Sequence, residues 1–226
     1  MRRWFKHNRN FVLLLMGFGL FRTAIADWNP IPSGSMRPTV LEGDVVLVNR
    51  LAYNVKLPLT DVVLARTGEP QRGDVVTFSS PLDGTRLIKR VVALPGDVVE
   101  MKNEHLILNG EPARYTGLQT VLEPLDGGGQ TEALRLSEHI GPEGANADGH
   151  RVQWLPGVNA RSSFGPLMVP ADSDLVLGDN RDNSADSRYI GFVPRPLLIG
   201  QAHRVLVSAD IKGHWLPRWA RFGQTL

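Results

Sequence analysis

The chain contains no cysteine. Disulfide frameworks, thiolate nucleophiles and Cys-ligated zinc or iron–sulfur centres are therefore excluded, and redox chemistry says nothing about compartment. Charge of one sign is equally lacking: 25 Lys and Arg stand against 23 Asp and Glu, a net +2. That surplus is too small for an electrostatic nucleic-acid footprint, and no basic stripe with interleaved aromatics runs between the two ends of the chain. Nucleic acid is not an expected partner. Internal repeats are absent, and so is any convincing amphipathic helix of three or more turns. The six histidines, His7, His105, His139, His150, His203 and His214, form no H-E-x-x-H arrangement and no pair at helical metal-ligand spacing. No metal and no other cofactor is expected. His203 alternates with Val205 and Val207, which suits a strand position better than a triad base. Gly34-Ser35 also lacks the second glycine of a G-x-S-x-G nucleophile turn.

What is present fits an ordinary globular chain. With 226 residues, 42% apolar and 21% charged, it suits one domain or a core with a sizeable insertion. The N-terminus carries Arg2, Arg3, Lys6 and Arg9 with no acidic residue before Asp27, and an unbroken apolar run from Phe11 to Phe21 follows. A helix extended from that run to Trp28 would measure roughly 27 Å, against ~30 Å for the hydrocarbon core. Arg22 would then snorkel to the interface and Trp28 would sit in the aromatic belt. The same segment also reads as a cleavable signal peptide ending in the small-x-small sequence Ala24-Ile25-Ala26. Either way the positive-inside bias keeps the N-terminus in the cytoplasm and sends the rest across the membrane.

After Pro30 the pattern turns to short Val-, Ile- and Leu-rich strands separated by turn residues, at 44–49, 74–78, 86–93, 97–102, 105–108, 174–177 and 202–208. The expected fold is a mainly β, antiparallel core. Residues 111–165 read as an inserted loop-rich β-subdomain, because Gly127-Gly128-Gly129, Gly144, Gly149 and Gly157 punctuate polar sequence there. The expected divisions are residues 1–28 as N-terminus and anchor, 29–110 and 166–211 as the two parts of the core, and 212–226 as a tail. That tail holds Trp215, Trp219 and Phe222 among Lys212, Arg218 and Arg221, a composition suited to a membrane surface.

Three segments carry candidate chemistry. In Arg86-Leu87-Ile88-Lys89-Arg90-Val91-Val92, period-two alternation places Lys89 on one face with Leu87 and Val91. An amine among apolar neighbours loses stability as an ammonium and becomes a proton acceptor near neutral pH. By itself the same lysine also reads as a charge guarding a strand edge. Around Ser33 and Ser35, Pro32, Gly34 and Pro38 make a rigid exposed turn that can aim a hydroxyl and a backbone N–H at one point; an ordinary Ser/Pro linker has the same composition. Residues 178–188, Gly-Asp-Asn-Arg-Asp-Asn-Ser-Ala-Asp-Ser-Arg, begin like a calcium loop from Asp182. However, Ser187 stands where the loop needs Gly and Val193 where it needs Glu.

In order and wording these segments resemble the motif boxes of bacterial type I signal peptidases, the Ser/Lys-dyad leader peptidases. Ile31-Pro32-Ser33-Gly34-Ser35-Met36-x-Pro38-Thr39 is similar to the nucleophile box, and Gly43 to Val48 to the strand box after it. Arg72-Gly73-Asp74-Val75-Val76 and Ile88 to Asp97 resemble the lysine box, and Gly178 to Pro194 the last box. The resemblance implies a β-core with an inserted β-subdomain and one uncleaved N-terminal transmembrane helix. It implies Ser35 as nucleophile, Lys89 as general base, Ser184 as the hydroxyl that bonds and orients the lysine, and Ser33 with the Ser35 N–H as oxyanion hole. Arg90, Asp179, Asp186 and Arg188 would hold the site by ion pairs. Ile31, Pro32, Met36, Val40, Val46, Leu87 and Ile88 would line small pockets for the −1 and −3 side chains of a signal peptide. Asn29 and Thr77 stand near those pockets where apolar residues are usual, which bears on the −3 preference.

The implied protein is a monomeric serine endopeptidase of the bacterial inner membrane. It spans once, works on the periplasmic side, and takes signal-peptide-bearing preproteins and the phospholipid membrane as partners. One rival is a peptidase dedicated to a few substrates such as a conjugative pilin. A self-cleaving Ser/Lys transcriptional regulator would need a DNA-binding helix-turn-helix in place of the anchor. A catalytically silent membrane scaffold would have no need of Ser35, Lys89 and Ser184 together.

Overall fold

The computed structural model describes residues 8–57, 60, 62–124, 129–141 and 149–226. Arg2, Arg3, Lys6, His7, Gly127, Gly128 and Gly144, singled out above, lie outside them. Helix α1 (Arg9–Ala24) precedes β1 (Ala26–Pro30), β2 (Asp44–Asn49) and the small hairpin β3 (Asn54–Lys56) and β4 (Val63–Arg66). Strands β5 (Val75–Ser79), β6 (Arg86–Ala93), β7 (Val98–Lys102), β8 (His105–Leu108) and β9 (Glu111–Pro112) follow. Next come β10 (Arg114–Pro124), β11 (Gln130–His139), β12 (His150–Trp154), β13 (Phe164–Met168) and β14 (Ser173–Leu177). A short helix α2 (Ser187–Ile190), β15 (Val193–Pro194) and β16 (Leu198–Ser208) complete the order.

The protein is mainly β, and its strand pairs are antiparallel. The largest sheet has the order β1-β2-β16-β5-β6-β14-β15. A second, β13-β7-β8-β9, packs beside it, and a third is β10-β11-β12. In β2 the side chains of Asp44, Val46 and Val48 are buried while Val45, Leu47 and Asn49 are half-buried, the period of a strand with one face on the core. Strand β6 starts exposed at Arg86 and is buried on both faces from Lys89 to Ala93, because β5 and β14 flank it. Among the described residues four apolar clusters follow from this layering. One of them, Ile31, Met36, Val40, Val46, Val48, Val75, Ala202 and Val205, lies under the turn that carries Ser35. Each buried Val, Ile or Met side chain there contributes roughly 1.5–3 kcal/mol of transfer free energy.

The expected transmembrane helix is not found. Among the described residues no helix is long and apolar enough to cross a membrane. Helix α1 has 16 residues, about 24 Å at 1.5 Å per residue. It does not extend to Trp28, because Ala26–Pro30 pairs with β2, with Trp28 opposite Leu47. Trp28 instead packs against the helix end: its ring lies 5.7 Å from Phe18, and the Arg22 guanidinium sits 4.5 Å above it. The helix leaves Phe11, Leu13, Leu14, Leu15, Met16 and Phe18 exposed. The polar stretch expected to be loop-rich forms strands of 11 and 10 residues, β10 and β11.

Candidate active site

The turn at 33–40 is closed by the Arg37 N–H on Gly34 O at 3.0 Å and the Val40 N–H on Met36 O at 2.9 Å. Met36 and Val40, both fully buried, drive it into the cluster beneath. Ser35 is thereby held at the edge of the core, 9% exposed. Lys89 on β6 is 2% exposed, opposite Val76 in the register. Its Nζ donates to Ser35 Oγ at 2.8 Å and to Ile88 O at 2.9 Å. Burial pushes the amine down to about 8, and the Asp186 and Asp179 carboxylates pull it back only partly. A hydroxyl therefore sits in hydrogen-bond contact with an amine that sheds its proton near neutral pH, which is the arrangement a general base needs.

The loop after β14 builds the far side. Gly178 N–H donates to Asp186 Oδ2 at 3.0 Å, and Asp186 also caps α2 through the Arg188 N–H. Arg188 returns its guanidinium to Asp186 at 2.9 and 2.8 Å. Arg90 grips Asp179 with a two-pronged pair at 2.9 and 2.7 Å, and the Thr39 hydroxyl donates to the same carboxylate at 2.5 Å. Burial raises the Asp179 carboxyl, but Arg90 and Thr39 outweigh it and hold it below the usual range. Asn180 donates its backbone N–H to Ser35 O at 3.2 Å and its side-chain amide to Gly34 O at 3.0 Å. Gly178 has no room for a side chain: a Cβ there would lie 2.2 Å from Ser184 Oγ and 2.5 Å from Ser35 O.

Ser184 does not make the bond to Lys89 that its expected role calls for. Its Oγ is buried beside Gly178 without a hydrogen-bond partner, while two of the three lysine donors are taken by Ser35 and Ile88. Ser33 stands exposed at the start of the turn. Of the expected pocket residues, Ile31, Pro32, Leu87 and Ile88 line a groove of about 270 Å³ together with Pro30, Asn29, Thr77 and Arg86. Met36, Val40 and Val46 are 0% exposed and pack with Ile31 beneath the turn rather than at an open surface. Arg86 holds one wall in place by donating to Asn29 Oδ1 at 2.8 Å and Asp27 Oδ2 at 3.0 Å. A larger apolar groove of about 570 Å³ begins across the Pro30-Ile31-Pro32 rim and runs to Trp215 and Phe222. Among the described residues no group of three His, Asp or Glu is placed to hold a metal ion.

Sequence reasoning missed Asn180, Arg181 and Thr39 as parts of the site, although all three sit inside segments it had singled out. It also missed Glu138, which bonds Arg181 from β11; no local pattern marks that glutamate.

Comparison with known proteins places the chain among peptidases. The family model described as signal peptidase, peptidase S26, matches residues 1–207. The signal peptidase I of Pseudomonas fluorescens is 35% identical over 231 residues, which cover 96% of this chain and 78% of that protein. That of Pseudomonas aeruginosa is 34% identical over 245 residues, with the same coverages of 96% and 78%. A crystal structure of a signal peptidase I from Enterococcus faecalis V583 shares 29% identity, covering 59% of this chain and 96% of that one, with a TM-score of 0.34.

Proposed function

Because the chain belongs to the signal peptidase family, peptidase S26, and is a serine peptidase, we propose that it removes signal peptides from exported preproteins by acyl transfer through a Ser35–Lys89 dyad. The observation that carries this reading is the buried 2.8 Å contact between Lys89 Nζ and Ser35 Oγ. Neutral Lys89 takes the Ser35 proton as Oγ attacks the scissile carbonyl carbon. The oxyanion that forms is met by the Ser35 backbone N–H and the Ser33 hydroxyl. The new ammonium hands its proton to the leaving amine, and the acyl-enzyme is then hydrolysed by a water that Lys89 deprotonates. Asp179 and Asp186, pinned by Arg90 and Arg188, favour the ammonium at the moment it forms. The free third donor of that ammonium is the place for Ser184.

The preprotein lies along the groove between residues 29–32 and 86–88, with its small side chains entering between Ile31, Pro32, Leu87 and Ile88. Helix α1 holds the chain to the inner membrane, and the core, residues 29–110 and 166–211, stands on the periplasmic side. The apolar side chains that α1 exposes support this. So do Trp215 and Trp219, each 71% exposed, which suit the interface. The test is in vitro cleavage of a preprotein panel varied at −1 and −3. Ser35→Ala and Lys89→Ala should each lose at least about a thousandfold in rate. A Lys89→Ala protein that cleaves at the native rate would sink the dyad.

A further inference from the structure

The sheet β10–β12 takes no part in the steps above, yet it anchors both segments that frame the catalytic pair. On the loop after β14, Arg181 is 1% exposed and its guanidinium takes both oxygens of Glu138 on β11, at 2.8 and 2.5 Å. The same carboxylate, 0% exposed, accepts the Tyr115 hydroxyl of β10 at 2.6 Å. Backbone bonds run alongside: Gln153 N–H on β12 donates to Asp179 O at 2.8 Å, and Arg181 N–H donates to Gln153 O at 3.0 Å. Between Asp179 and Arg181 stands Asn180, the residue that holds the carbonyls of Gly34 and Ser35. The second anchor is Arg37, two residues after the nucleophile. It pairs with Glu42 at 2.7 Å and with Glu123 on β10, which also meets Arg135 of β11.

Apolar packing alone would fasten a sheet to a core without fixing its direction. A buried fork-to-fork pair fixes both distance and angle, and tolerates little slippage because an unpaired charge has no water to turn to. We propose that the sheet β10–β12 is a positioning element for the catalytic pair. Glu138 acts on Ser35 through Arg181 and Asn180, and Glu123 acts on it through Arg37. This rests on the reading of Ser35 and Lys89 as the dyad.

The test compares the full chain in detergent with a Glu138→Leu/Arg181→Met double variant, which removes both charges and leaves neither unpaired. With a signal-peptide substrate, kcat should fall at least about tenfold while KM stays within about twofold, since alignment at the reacting atoms is lost and the groove is untouched. A cooperative thermal melt establishes that the variant is folded. Where it is not folded, Tyr115→Phe decides: removing one bond from Glu138 should lower kcat about two- to threefold at constant KM. Native kcat in the folded double variant, or in Tyr115→Phe when that variant decides, overturns the proposal; so does a KM rise that accounts for the whole loss. A Ser35→Ala control separates the two claims. If it cleaves at the native rate, the dyad falls and this proposal with it. If it is inactive while the double variant is unimpaired, only the role of the sheet falls.

Discussion

An amine closed off from water with a pKa near 8 makes two predictions at the scale of one residue. The first concerns rate. Below about pH 8 only the neutral fraction of Lys89 accepts a proton, so kcat/KM should climb tenfold per pH unit and level off above that value. A profile flat from pH 5 to 7 would contradict a lysine base. The second concerns stability. Lysine in the unfolded chain titrates near 10.4, above its folded value, so between about pH 8 and 10.4 the unfolded state binds more protons and stability rises with pH. Below pH 8 both states carry the charge and the folded one bears the cost of burying it. Lys89→Met should therefore stabilise the protein at pH 6 by up to about 3 kcal/mol, with the advantage shrinking toward pH 10; denaturant unfolding at both pH values measures it. Gly178→Ala should slow cleavage roughly a hundredfold, because its Cβ would meet Ser184 and the Ser35 carbonyl at 2.2 and 2.5 Å, and a serine displaced by about 1 Å loses about that much in rate. Ser35 and Lys89 were legible because short-range wording marks them. Glu138 was not, since a long-range ion pair leaves no trace in the residues on either side of it.

At the scale of elements, strand β6 and the loop after β14 are joined by Arg90 and Asp179, both at least 95% buried. Removing one partner leaves a lone buried charge, so Arg90→Met should cost about 3–5 kcal/mol. Arg90→Met combined with Asp179→Leu should recover much of that, and a thermal double-mutant cycle reads the difference. Activity should not return with stability, since Asp179 also ties the loop to Thr39. The core strands were readable from alternating Val and Ile, as in β2 and β6. Strand β1 was not, because Ala-Asp-Trp-Asn-Pro has no β-branched residue, and it exists by pairing with β2 at the sheet edge, where Pro30 is tolerated. Strands β10 and β11 hid for another reason. Most of β10 is exposed on both faces, so no apolar period marks a strand that its neighbour holds by backbone bonds and by polar side-chain pairs such as Tyr115 with Glu138.

For the whole molecule, the bilayer seat proposed for α1 and the C-terminal aromatics would decide which substrates are within reach. Trp219 and Leu216, 71% and 64% exposed, form an apolar corner near the end of the chain. Replacing both with serine should slow cleavage of a vesicle-inserted preprotein several-fold, because interfacial aromatics contribute to seating. Turnover of a short soluble peptide should be unaffected. Equal slowing of both substrates would place that corner elsewhere in the mechanism.

Strand β1 carries a last consequence. Between the end of α1 at Ala24 and the nucleophile at Ser35 the chain is not a tether. Five of those residues are paired into the main sheet, a stiff spacer of about 17 Å. Were α1 seated in lipid as proposed, the spacer would work as a ruler: it would set the height at which a peptide bond can be cut and disqualify bonds that emerge higher or lower. A run of Gly-Ser inserted after Ala24 would turn the ruler into a leash, and a preprotein cut at one bond would then be cut at several.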